Sequence, residues 1–197
     1  MRIDTPTSIV PTAIIGLGNV FLGDDGFGPF AIETFRCEYI VEPTEVEVLD
    51  LGTPGLDLAP YLYRRKLVII VDAVRAGLPA GTLSTFSEGD FTNQSAILHI
   101  TGHDPGLWDS LAHLRLAGEA PQDLIVLGVS PEFCNFAEGI SITLLRAVSE
   151  AATTIARLLT ERGIGCNLRT KATAPSLWWL PLVQTKDTVA GALVVTA

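Results

Sequence analysis

Leu67-Val68-Ile69-Ile70-Val71-Asp72 is a run of five apolar residues, four of them β-branched valine or isoleucine, followed at once by a carboxylate. A run this short and this uniformly apolar has no polar face. It therefore predicts a strand covered on both sides, as at the centre of a parallel sheet. The same grammar recurs on either side. Thr12–Leu17 (TAIIGL) and Leu124–Val129 (LIVLGV) are further buried strands, and Val46–Leu51 (VEVLDL) is another. Gly81–Phe86 alternates apolar with polar residues and reads as an edge or antiparallel strand. Helical spacing fills the intervals: Phe30, Ile32 and Phe35 within Pro29–Arg36, a short piece over Leu56–Tyr63, and Leu107, Leu111 and Leu114 within Gly106–Leu116. Ile142, Leu145, Val148, Ala152, Ile155 and Leu159 mark a long amphipathic helix within Ile140–Glu161. Strands alternating with helices predict an α/β fold, a three-layer α/β/α sandwich whose mostly parallel central sheet has about five strands.

The 197 residues suit one domain with a substantial core. We place that domain over residues 1–163 and treat 164–197 as a C-terminal tail of unassigned role. The tail differs in charge, with Arg169, Lys171 and Lys186 against Asp187, and holds two apolar pieces, Trp178–Val183 and Val189–Val195. Apolar residues at 48% and a mean hydropathy of +0.38 exclude a disordered chain. A formal net charge of −9 argues against nucleic acid or an anionic membrane surface as partner, because both reward clustered lysine and arginine. The one basic run, Arg64-Arg65-Lys66, is too short to reverse that. No stretch approaches the roughly 18 apolar residues of a membrane helix, and the start, Met1 to Pro6, makes a poor signal peptide. Cys37, Cys134 and Cys166 are widely spaced, with no CxxC pair, which suits a reducing compartment. The expectation is a cytoplasmic protein.

Chemistry concentrates after the first strand. Gly16-Leu17-Gly18-Asn19-Val20-Phe21-Leu22-Gly23-Asp24-Asp25-Gly26-Phe27-Gly28 invites a nucleotide-binding reading, but four residues separate its second and third glycines, where a Rossmann loop has two. Two aspartates also stand where a pyrophosphate would need donors. With no G-K-[ST] either, no organic cofactor is expected. Asp24 or Asp25 could simply cap the next helix; two acids between glycines at a strand end favour a site instead. Gly16, Gly18 and Gly26 shape the loop's path, and Asn19 suits a side-chain hydrogen bond that fixes it.

Two more residues stand at element ends. Asp72 closes the most apolar strand, where a carboxylate is costly to bury unless paired, hydrogen-bonded or bound to a metal. His103, in Thr101-Gly102-His103-Asp104-Pro105-Gly106, precedes a predicted helix, whereas His99 and His113 sit in an apolar segment and inside a helical pattern. Asp25, Asp72 and His103 together offer two carboxylates and an imidazole, a set suited to a borderline divalent cation such as nickel or zinc with open positions. Thiolate ligands are not suggested, because no cysteine is near these motifs.

The pattern Gly16-x-Gly18-Asn19-x-x-x-x-Asp24-Asp25-Gly26-x-Gly28, then Val71-Asp72-Ala73, then His103 before Gly106-Leu107 and a leucine-rich helix, resembles the hydrogenase maturation endopeptidases. The resemblance runs from Thr12 to about Arg162 and does not extend into the tail. It implies an aspartic-type, nickel-dependent endopeptidase that removes the C-terminal extension of a nickel-iron hydrogenase large-subunit precursor after nickel insertion. It also implies that the nickel is supplied by the precursor and that Asp25, Asp72 and His103 are both its contacts and the catalytic residues. Many members carry Glu at the loop position. Asp25 is one methylene shorter, which leaves open which of Asp24 and Asp25 reaches the metal. Two other readings remain: a generic metallopeptidase on the same scaffold, and a non-catalytic nickel-binding assembly chaperone. No G-x-S-x-G elbow or Cys–His motif supports a different nucleophile.

Overall fold

The computed structural model describes residues 9–54, 58–92, 99–100, 104–136 and 138–182. Strand β1 (Thr12–Leu17) leads through a 3-10 turn at Gly23–Gly26 into helix α1 (Phe27–Glu38) and the short strand β2 (Tyr39–Val41). Then come β3 (Val46–Gly52), α2 (Ala59–Leu62), β4 (Leu67–Arg75), β5 (Leu83–Ser87), α3 (Glu88–Thr92) and the two-residue β6 (His99–Ile100). Helix α4 (Asp104–Leu116), β7 (Asp123–Val129), α5 (Ile142–Thr160) and β8 (Cys166–Leu168) complete the order, with a second 3-10 turn at Leu180–Leu182.

The central sheet runs β3-β1-β4-β7-β5. Its first four strands are parallel, and β5 pairs antiparallel with β7 at the edge. Side chains of β4 alternate between two cores. Leu67, Ile69, Val71 and Ala73 join the cluster of α1 and α5, and Val68, Ile70 and Val74 join that of α2 and α4. Both faces of the sheet are therefore covered, as the uniformly apolar run at Leu67–Val71 requires. The expected three-layer sandwich is what the chain forms.

Helix α5 shows how local sequence sets an element. The Ser141 hydroxyl accepts from the Leu144 amide at 3.2 Å, an N-cap, and the apolar stripe from Leu144 to Leu159 then packs on the sheet and α1. Each large apolar side chain buried there contributes on the order of 2 kcal/mol.

Three features differ from the sequence expectation. Strand β4 does not stop at Asp72 but runs to Arg75, because Ala73 pairs with Val129 of β7 and Val74 and Arg75 pair with β6. Tertiary pairing thus extends a strand past the charge at which its apolar run ends. Helix α1 is longer than expected at both ends, and its N-cap, Gly26, has no side-chain cap hydrogen bond, so neither aspartate caps it. The third difference lies after Gly163. Strand β8 pairs antiparallel with β2, and Trp179 is buried against α1, its ring 5.4 Å from that of Phe30. Trp179 thus packs on the α1 face from beyond Gly163. The apolar piece Val189–Val195 lies outside the described residues.

Candidate active site

The chain after β1 passes through α1 to β3 on one side, whereas the chain after β3 crosses back past β1 to β4. Helix α1 covers one face and α4, which follows β4, the other. The carboxyl ends of β1 and β4 are therefore a topological switch point, where open α/β sheets leave a crevice for a ligand. The glycine loop leaves the end of β1, and Asp72 lies near the end of β4.

Close packing fixes the loop at this mouth. A Cβ on Gly28 would lie 2.1 Å from the Leu17 carbonyl oxygen and 2.5 Å from that of Val71, so the first turn of α1 sits directly on both strand ends. Gly18 has φ +134°, and a Cβ there would lie 1.8 Å from the Asp25 carbonyl oxygen. Only glycine is tolerated at either place. The Asn19 amide donates to Asp25 Oδ2 at 2.8 Å, and Asn19 Oδ1 accepts from the Phe21 amide at 3.0 Å. One residue thus ties the start of the loop to its acidic end. A Cβ on Gly16 would meet Ile32 at 2.5 Å, and one on Gly26 would meet Val20 less closely, at 3.0 Å.

The two neighbouring aspartates have separate surroundings. Asp24 is fully buried, and both its oxygens are occupied. Oδ2 accepts from the amides of Glu132 (2.7 Å) and Phe133 (3.2 Å), and Oδ1 accepts from that of Ser141 at 2.7 Å. It moors the 130–141 loop to the glycine turn. Asp25 is 5% exposed and, through Oδ2, steadies the turn of the loop around Asn19.

Asp72 is 0% exposed, and its Oδ1 accepts from the Ala73 amide at 2.7 Å. Val71 and Ala73 face the α1 layer, so alternation turns Asp72 toward the α4 layer, the side on which Leu17 is buried. Strand β6 pairs antiparallel with Val74 and Arg75 and so runs back toward Asp72; α4 starts at Asp104 and buries Leu107 and Leu111 in the same layer. His103 immediately precedes α4 in sequence but lies outside the described residues, as do its neighbours 101 and 102. Among the described residues no group of three or more histidine, cysteine, aspartate or glutamate side chains is placed to hold a metal ion.

Cys134 corrects the statement that no cysteine is near these motifs. It lies on the loop moored by Asp24 and within electrostatic reach of Asp25. Burial pushes its thiol up, and the Asp25 charge adds to the rise; Arg75 at the end of β4 pulls it down. A half-buried, protonated thiol is a weak ligand. The available signal was position: Ser130-Pro131-Glu132-Phe133-Cys134 directly follows β7, at the same carboxyl edge as the other loops.

Known proteins place this arrangement. Residues 31–161 match the family model of the hydrogenase maturation proteases, a span that takes in Asp72 and His103 and begins just after the glycine loop. The hydrogenase 2 maturation protease of Escherichia coli K12 is 33% identical over 156 residues, covering 77% of this chain and 92% of that protein. The hydrogenase expression/formation protein HoxM of Azotobacter vinelandii is 32% identical over 152 residues, 77% of this chain and 73% of its own length. Among solved structures, the hydrogenase maturating endopeptidase HybD of E. coli superposes with a TM-score of 0.72 at 30% identity, covering 81% of this chain and 98% of HybD. With the fold, the switch-point mouth and these similarities in agreement, the chain belongs to the hydrogenase maturation protease family.

Proposed function

We propose that this chain is the endopeptidase that removes the C-terminal extension of a nickel-iron hydrogenase large-subunit precursor after nickel has been inserted. The observation that carries the proposal is Asp72, a fully buried carboxylate inside β4, the strand that the turn bearing Asp25 contacts, in a chain of this family. In this reading Asp25, Asp72 and His103 contact the nickel that the precursor brings, and the ion is part of the substrate. Two carboxylates and an imidazole suit such a borderline cation. The mooring of Asp24 by three amides supports Asp25 as the loop residue that reaches the metal.

The chemistry follows from charge. Asp25, Asp72 and His103 would hold the precursor's nickel, which would serve as a docking signal or supply Lewis-acid polarisation of the scissile carbonyl, and a carboxylate left free would act as general base toward water. A nickel-free precursor lacks the ion that completes the site and is left uncut, which gives the enzyme its timing. No helix among the described residues is long and apolar enough to cross a membrane. The three unpaired thiols support a reducing, cytoplasmic setting for the reaction.

The test is to mix the purified chain with nickel-loaded and nickel-free precursor and weigh the products. Shortening of the nickel-loaded form alone is expected. Equal cutting of both would make the chain a generic metallopeptidase, and metal loading without shortening would make it a chaperone.

A further inference from the structure

Trp178 and Trp179 are adjacent and have opposite fates. Trp179 is 1% exposed, its ring edge-on to Phe30 of α1, and its indole N–H finds no hydrogen-bond partner among the described residues, so packing holds the ring. Trp178 is 63% exposed, yet it too has a fixed neighbour. Its ring stands edge-on to Trp179 at 5.7 Å and to Phe21 at 6.5 Å. Phe21 belongs to the glycine loop, where its amide is held by Asn19 Oδ1, and the Asn19 amide in turn donates to the Asp25 carboxylate. Val20, just before Phe21, packs against the same core as Trp179. A continuous line of contact therefore runs from the interior of the α1 layer through Trp179, Trp178, Phe21 and Asn19 to Asp25. The two tryptophans lie beyond residues 31–161, outside the span that the family model matches.

We propose that Trp178 is a positioning residue: anchored by its buried neighbour Trp179, it braces Phe21 and so holds the glycine loop in the geometry that presents the Asp25 carboxylate at the crevice. Edge-to-face aromatic contacts are directional and stiff enough for this purpose. Residues 19–22 are half-buried and tied by part-buried hydrogen bonds, so this start of the loop opens more easily than the buried turn at Gly23–Gly26. The catalytic consequence of the brace rests on the function proposed above, whereas the brace itself does not.

The experiment compares the full-length chain with Trp178→Ala, Trp178→Phe and Phe21→Ala. Backbone amide exchange is read at Asn19 and across Asn19–Gly26, with thermal unfolding and precursor processing measured alongside. Trp178→Ala should raise the Asn19 exchange rate about tenfold and leave the midpoint of unfolding nearly unchanged. It should lower kcat severalfold with little change in KM. Trp178→Phe should restore most of both effects. The double variant Trp178→Ala/Phe21→Ala should be no worse than either single change, because one contact is being removed. Unchanged exchange at Asn19 in Trp178→Ala and Phe21→Ala overturns the brace. So does a loss of processing that merely follows a loss of folded protein. A wild-type chain that leaves nickel-loaded precursor intact would overturn the proposed function and leave the exchange result to decide the brace.

Discussion

At the amino end of the parallel strands, Arg65 is 6% exposed and donates to the Val10 carbonyl at 2.6 Å, the Tyr61 carbonyl at 3.1 Å and Glu47 Oε2 at 2.5 Å. At the carboxyl end, Asp24, Asp25 and Asp72 are also buried, and backbone amides donate to all three. The first region is a clamp: one cation joins the segment before β1, strand β3 and the α2 turn. In the second, negative charge gathers at a switch point whose loops lie outside the sheet ladder, with Asp24 committed to the scaffold. The fold uses a buried charge for closure at one end and gathers buried carboxylates at the other, where backbone amides supply the stabilising donors.

That contrast breaks most visibly at the carboxyl end. Asp72→Asn and Asp25→Asn should each lower precursor processing by on the order of a thousandfold, the scale of losing a preorganised electrostatic group. The midpoint of thermal unfolding should move little. Persistent processing in the double variant Asp72→Asn/His103→Ala would remove the metal-contact role from this end. Asp24→Ala tests the exception at the same edge. Three amides lose a charged acceptor, so the fold should lose about 3 kcal/mol or more by denaturant titration, and amide exchange should rise through residues 130–141.

Arg65→Met tests the clamp. The half-buried carbonyls of Val10 and Tyr61 lose their donor while half-exposed Glu47 turns to water, for a cost of about 2 kcal/mol. Processing per folded molecule should stay at the wild-type level; a fall would show that the amino end also serves the chemistry.

The smallest effect concerns Cys134. Its thiol is raised in the fold, by burial first and the Asp25 charge second, so the protonated form favours folding. That contribution is present below the thiol's unfolded pKa and is lost as pH rises through the higher folded value. Alkylation of Cys134 should therefore be slow at neutral pH and speed up in alkali. Asp25→Asn should accelerate it severalfold by removing a neighbouring negative charge, and an unchanged rate would separate the two residues.

The strands at Thr12, Val46, Leu67 and Leu124 were legible because hydrophobic period is local, and so was the antiparallel edge strand near Leu83, from its alternation. The reach of β4 past Asp72 was not, because the pairing that extends it comes from β6 and β7. The pairing of Cys166–Leu168 with Tyr39–Val41 was equally hidden, since strands of three residues are too short to carry a periodic signal. The nearness of Cys134 to Asp25 could have been suspected only from its place after β7.

Sequence by itself determined the layered α/β class and the requirement for glycine around an acidic loop. It also singled out Asp25, Asp72 and His103 as the candidate residues, because apolar period, glycine spacing and residue chemistry are written in consecutive positions. Only the tertiary structure separated Asp24 from its identical neighbour. The amides that occupy Asp24 come from residues 108, 109 and 117 positions further along the chain. It also seated Trp178 against Phe21, a contact between residues far apart in the chain that no local pattern encodes.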